Sequence, residues 1–198
     1  MKKSILATWL LALVFLTTAC DKRDDGTETA VPRVSATMER IFIYTGTAEE
    51  SRAVYAMGIS ELQTENDAEN IEISFSPSRP AANDAMTLRL LQQDLLNGYV
   101  GTYTIRSLSN NKKGQVDLTY YHYYDKTSKS ALFSSGNRME GQLEIKSYNA
   151  ATGLASGTFT VVIRNVTDPT SFSTSQATPR KCDVQLSGEF SHLKLLNN

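Results

Sequence analysis

The feature that most constrains this chain is an apolar alternation of period two that recurs from residue 38 almost to the carboxy terminus. Ile71, Ile73 and Phe75 alternate with Glu72 and Ser74. Phe159, Val161 and Ile163 share one parity, and Cys182, Val184, Leu186 and Phe190 share another. Successive side chains of a strand point to opposite faces, so this pattern buries one face of a sheet and wets the other. Gly, Asn, Asp and Pro punctuate the segments at short intervals, as tight turns require. The chain is therefore expected to be all-β, an antiparallel β-sandwich of about nine strands. An up-and-down or calycin-like β-barrel satisfies the same pattern.

Strands are expected over residues 38–44, 53–60, 71–75, 99–105, 115–124, 141–146, 157–163 and 181–192, with a short return strand beginning at Ala131. Residues 61–70 are polar and acidic and read as a loop. Residues 166–179 read as a long polar loop carrying Pro169 and Pro179. Residues 83–98 admit two readings. Leu88, Leu91 and Leu95 stand at helical spacing, with Asn83 as a cap and Asn97-Gly98 as a stop. A strand over 86–91 followed by a turn fits the surrounding β segments better and is the expectation.

The amino terminus has a different grammar. Lys2 and Lys3 precede an apolar run from Ile5 to Leu16 that includes Trp9, the chain's only tryptophan. A bilayer span needs about 20 apolar residues, so this run has the length of a signal-peptide core instead. Ala19-Cys20 follows at the expected cleavage position. The segment resembles a bacterial lipobox, although Thr17 stands where Leu is usual. That resemblance implies cleavage between Ala19 and Cys20 and acylation of Cys20. Several acyl chains on one residue hold a protein firmly at a membrane. Residues 1–19 are thus expected as a lipoprotein signal peptide, 20–35 as a flexible tether and 36–198 as a single β domain. Lys22-Arg23-Asp24-Asp25 also resembles the short acidic export stretches of Bacteroidota surface lipoproteins; a plain solvated linker would look the same.

Composition excludes some functions. Of 20 basic residues, Lys2 and Lys3 leave with the signal peptide, so 18 remain against 21 acidic, a net −3. A nucleic-acid partner, which needs a clustered basic face, is not expected. With Cys20 lipidated, Cys182 has no partner within the chain and no disulfide framework is expected. Its parity places Cys182 in the core, where it is inert.

No motif supplies a catalytic constellation. His122 and His192 lie far apart without metal-ligand spacing, and no metal or other cofactor is expected. His122 reads as a half-exposed strand residue and His192 as incidental. Glu140 and Glu144 share one strand face, as strand carboxylates often do. Asn165-Val166-Thr167 is a glycosylation sequon in form only. One stretch offers a ligand surface. In residues 115–124, Val116, Leu118, Tyr120, His122 and Tyr124 occupy the parity that suits the core. Tyr121 and Tyr123 are then left side by side on the outer face, about 7 Å apart along the strand. Tyrosine combines an apolar ring with a polar tip, which suits a sugar ring or a protein partner. Packing over cross-strand neighbours is the competing role.

The succession Gly101-Thr102-Tyr103-Thr104-Ile105, Gly141-x-Leu143-x-Ile145, Ser156-Gly157-Thr158-Phe159-Thr160 and Val184-x-Leu186-x-Gly188-x-Phe190 resembles that of small Bacteroidota lipoproteins with a β-sandwich domain of unknown function. The resemblance covers roughly residues 70–192 and the signal region. It implies a fold and a cell-envelope address, with lipid attachment to the outer membrane, and no chemistry. The expected function is a non-catalytic binding or structural β domain whose partner is a glycan or an envelope protein. A glycan hydrolase on a β-sandwich and a pilus or adhesin-like accessory subunit are the alternatives.

Overall fold

In the computed structural model, the alternating segments become strands whose apolar parity is buried. Residues 32–58, 60–67, 69–78, 83–96, 98–124, 130–173 and 179–195 are described, with the side chains of 172 and 173 excepted. The expected signal peptide with Ala19, Cys20 and most of the expected tether lie outside them. Among the described residues, eleven strands run in chain order: β1 Ser35–Tyr44, β2 Glu50–Met57, β3 Leu62–Asn66, β4 Asn70–Phe75, β5 Asp84–Leu91, β6 Gly101–Thr104, β7 Val116–Tyr123, β8 Ser130–Phe133, β9 Met139–Asn149, β10 Leu154–Thr167 and β11 Lys181–Lys194. They form a six-stranded sheet, β2-β1-β11-β10-β9-β6, and a five-stranded sheet, β3-β4-β5-β7-β8. Every strand pair is antiparallel. The two sheets pack face to face without closing, so the fold is a β-sandwich rather than a barrel.

Three stretches differ from expectation. Residues 61–70 contain β3, an edge strand in which only Leu62 is buried. Backbone pairing to β4, in register from Leu62↔Phe75 to Asn66↔Ile71, holds it there. One apolar residue leaves no alternation for sequence to reveal. The strand expected over 99–105 is shorter, because Gly98 and Tyr99 both have positive φ, 79° and 63°, and turn the chain before Gly101. The loop expected from residue 166 starts later, since β10 runs to Thr167. Buried Asp168 then accepts hydrogen bonds from the Thr170 N–H (2.9 Å) and hydroxyl (2.7 Å), nucleating a 3-10 turn over Pro169–Ser173. In residues 83–98 the strand reading holds. β5 ends at Leu91 and only a short 3-10 turn, Gln92–Asp94, follows.

The core lies between the sheets. Phe75 of β4 meets Phe159 of β10 edge to face, 4.9 Å between ring centres. Phe159 and Phe190 are fully buried, as their parity predicts, and so is Cys182. Each of these phenylalanines covers a glycine on the neighbouring strand, in register Gly157↔Phe190 and Phe159↔Gly188. A Cβ on Gly188 would lie 2.1 Å from the Thr37 carbonyl oxygen and 2.7 Å from the Phe159 ring. A Cβ on Gly157 would meet the Glu144 carbonyl at 2.2 Å and the Phe190 ring at 2.7 Å. Only glycine lets these rings lie flat on the sheet, which explains the Gly-Thr-Phe and Leu-x-Gly-x-Phe spacings.

Candidate functional site

Two polar constellations stand out, one sealed inside the sandwich and one on its surface. The inner one centres on Asp84, the first residue of β5. Its carboxylate accepts from four side chains. The Tyr120 hydroxyl (2.5 Å) and His122 Nδ1 (2.9 Å) reach Oδ1, while the Tyr55 hydroxyl (2.5 Å) and Arg40 Nε (3.4 Å) reach Oδ2. Arg40 and Tyr55 belong to the six-stranded sheet; Asp84, Tyr120 and His122 belong to the five-stranded one. Arg40 is steadied further by the Ser51 carbonyl (3.1 Å) and by stacking 4.0 Å over the Phe42 ring.

His122 is therefore not the half-exposed strand residue expected. It is 3% exposed, packed edge to face on Phe42 at 5.2 Å. Its imidazole tolerates burial because Nδ1–H donates to Asp84, and an ionised carboxylate can only accept. Burial by itself raises the Asp84 pKa. The His122 hydrogen bond, the Arg40 charge and the Tyr120 hydroxyl outweigh it and hold the group down at about 2. Burial, followed by the same carboxylate, pushes the Tyr55 hydroxyl up to about 12 and Tyr120 well above the ordinary tyrosine value. Four donors fill the carboxylate's four lone-pair sites, so no acceptor site is left for a substrate. This cluster fastens one sheet to the other. Sequence reasoning missed it, yet a signal existed: Arg40, Asp84 and His122 each stand at the inward parity of an otherwise apolar strand.

The outer constellation lies on the solvent face of the five-stranded sheet. Register aligns its side chains in rows across the strands. One row is Glu72↔Arg89↔Asp117, the next is Ser74↔Thr87↔Thr119, and the third is Ala85↔Tyr121↔Leu132. The face thus grades from charged through hydroxylated to aromatic and apolar. A hollow of about 470 Å³ spans it, reaching Glu72, Thr87, Asp117, Thr119, Tyr121 and Ser134. Tyr121 and Tyr123 lie where the alternation places them, half buried on the outer face. Their rings are stacked, with centres 6.0 Å apart and planes 18° from parallel. Arg89 pairs with Glu72 at 3.5 Å. Arg106, from the turn after β6, pairs with Asp117 at 3.0 Å and Asp94 at 3.9 Å.

The remaining candidates are not drawn together. Glu140 and Glu144 do share a face of β9, but Glu140 pairs with Arg164 (3.0 Å) and Glu144 lies near Lys146 (3.9 Å) and the Thr158 hydroxyl (3.3 Å). His192 is exposed at an irregularity of β11, with φ 55°. Asn165, also at positive φ, sits in the β10 bulge with its N–H on Asp183 (2.8 Å). Among the described residues no group of three or more His, Cys, Asp or Glu side chains is placed to hold a metal ion, and no helix is long and apolar enough to cross a membrane. Comparison of the chain with protein-family models, with curated proteins and with solved structures found no match.

Proposed function

We propose that this chain is a lipoprotein of the bacterial cell envelope, anchored through Cys20 to the outer membrane, whose β domain binds a glycan through the outer face of the five-stranded sheet. The observation that carries the binding reading is the stacked Tyr121–Tyr123 pair, whose Tyr121 borders a hollow with hydroxyl side chains in its lining. Sugars present apolar C–H faces and polar rims. An aromatic platform beside Thr87, Thr119 and Ser134 matches both at once. The address rests on the signal segment and on the resemblance of the strand motifs to Bacteroidota lipoproteins.

Binding without catalysis fits this face better than hydrolysis. A glycosidase needs one carboxyl kept protonated by an apolar setting and a second across the scissile bond. Glu72 and Asp117 both border the hollow, but each has a guanidinium partner and substantial exposure, 29% and 41% of the side chain. Ion-paired and open to water, such carboxylates suit the positioning of ligand hydroxyls.

Two measurements test the reading. The Tyr121→Ala/Tyr123→Ala variant should lose binding on a glycan array while its Tm stays close to the parent's. A much lower Tm, or unchanged binding, would make the tyrosines structural. Cys20→Ser should release the protein from the membrane fraction and abolish labelling by an alkyne fatty acid; continued labelling would refute the anchor.

A further inference from the structure

We infer that the ligand of this face is an uncharged oligosaccharide chain, several sugars long, lying across the strands from Tyr121 toward the β3–β4 turn. The inference rests on the binding reading above and adds to it the charge and the length of the ligand.

Charge comes first. An acidic sugar, whether a uronate or a sulfate ester, is recognised by a cation free to meet it, most often an arginine. Among the described residues, the arginines at this face are already committed, Arg89 to Glu72 and Arg106 to Asp117 and Asp94. Three described carboxylates therefore face two described guanidinium groups, and the excess charge among them is negative. Further along the sheet the imbalance grows, since Glu65 and Asp67 border the same surface. Glu65 lies directly opposite Glu72 in the strand register. An anionic chain would have to break an ion pair and approach the Glu65 and Asp67 carboxylates as well. A neutral one finds hydroxyl partners on Thr119 and Ser134, and on Thr87 beside its bond to Ser74 (3.1 Å), without breaking an ion pair.

Length follows from the shape of the surface. The 470 Å³ hollow has a neighbour beyond Glu72 and Arg89. The same two residues also line a second hollow, of about 160 Å³, which continues to Asn66, Asp67 and Asn70 at the β3–β4 turn. From Tyr121 on β7 the path crosses β5 and β4 to reach β3, three inter-strand spacings or roughly 14 Å. That exceeds a single sugar ring. The Glu72–Arg89 pair forms the sill between the two hollows, placed to hydrogen-bond a sugar that spans them.

The test uses the full chain with Cys20→Ser on an array of uncharged oligosaccharides from disaccharide to octasaccharide, with polygalacturonate and heparin alongside. Affinity should rise with chain length among the uncharged glycans, and the two polyanions should not bind. Arg89→Ala should weaken the longest bound chain by about tenfold, the loss expected for one hydrogen bond from a charged group, while leaving the disaccharide unaffected. Preferential binding of polygalacturonate or heparin would overturn the charge assignment and leave the binding face standing. A disaccharide bound as tightly as an octasaccharide, or Arg89→Ala weakening both equally, would overturn the length assignment. Binding to none of the glycans would overturn this inference and the glycan-binding function together.

Discussion

Asp84 and Arg40 sit on opposite sheets, 3.4 Å apart, with their side chains almost wholly removed from solvent. Breaking a buried ion pair by deleting one partner leaves the other charge uncompensated and typically costs about 3–5 kcal/mol. Asp84→Ala would in addition leave the Tyr55, Tyr120 and His122 donors without their acceptor. We expect it to lower the unfolding free energy in urea by at least that range, a large fraction of the total for one domain. A loss under about 1 kcal/mol would mean that the cluster is replaceable polar filler.

The same carboxylate makes stability depend on acid. Its folded value of about 2 lies below the ordinary 3.8, so folding favours the ionised form. The contribution is complete above pH 3.8 and is lost as pH falls through about 2; linkage puts it at about 2 kcal/mol. Tyr55 acts at the other extreme. Its hydroxyl, raised from 10 to about 12, favours folding below pH 10 and loses that effect as pH climbs through 12. Unfolding free energies measured across the acid range should fall less steeply in Asp84→Asn than in the parent. Parallel curves would remove Asp84 as the source.

Gly188 predicts a steric test. Its missing Cβ would lie within 2.7 Å of both the Thr37 carbonyl and the Phe159 ring, and overpacking of this kind costs about 1–3 kcal/mol. Phe159→Ala, which empties the opposite side of the contact, should cost about 3–5 kcal/mol. Chemical denaturation of the two single variants checks both numbers. A neutral Gly188→Ala would show that the strands separate easily here.

Cys182 predicts a chemical one. Burial, followed by the negative charges of Asp168 and Asp183, pushes its thiol up to about 12. In a chain carrying Cys20→Ser it is the remaining cysteine. A bulky maleimide should label it slowly in buffer and rapidly in urea, and Cys182→Ala should cost on the order of 1 kcal/mol. Rapid labelling of the native protein would contradict its place in the core.

Period two and turn chemistry were enough to anticipate an all-β fold with the sandwich preferred to a barrel, the inward parity of Phe159, Val184 and Phe190, and the outward parity of Tyr121 and Tyr123; that the two sheets do not close was decided by the structure. Those are local properties: a strand's own sequence determines which residues share a face. Local sequence also carries the whole basis for the proposed signal segment and anchor at Cys20, a reading that needs no fold. Partners across strands were a different matter. Leu62–Asn66 became a strand because β4 offered it a ladder, and its own residues carry no alternation to announce that. His122 was misread as half exposed because its acceptor, Asp84, lies 38 residues away on a strand whose position only the folded sheet decides. The rows Glu72–Arg89–Asp117 and Ser74–Thr87–Thr119 likewise exist only in register. Sequence distributes polar and apolar residues along each strand. Burying a charge or assembling a binding face requires groups from several strands at hydrogen-bond distance, and tertiary structure alone sets that distance.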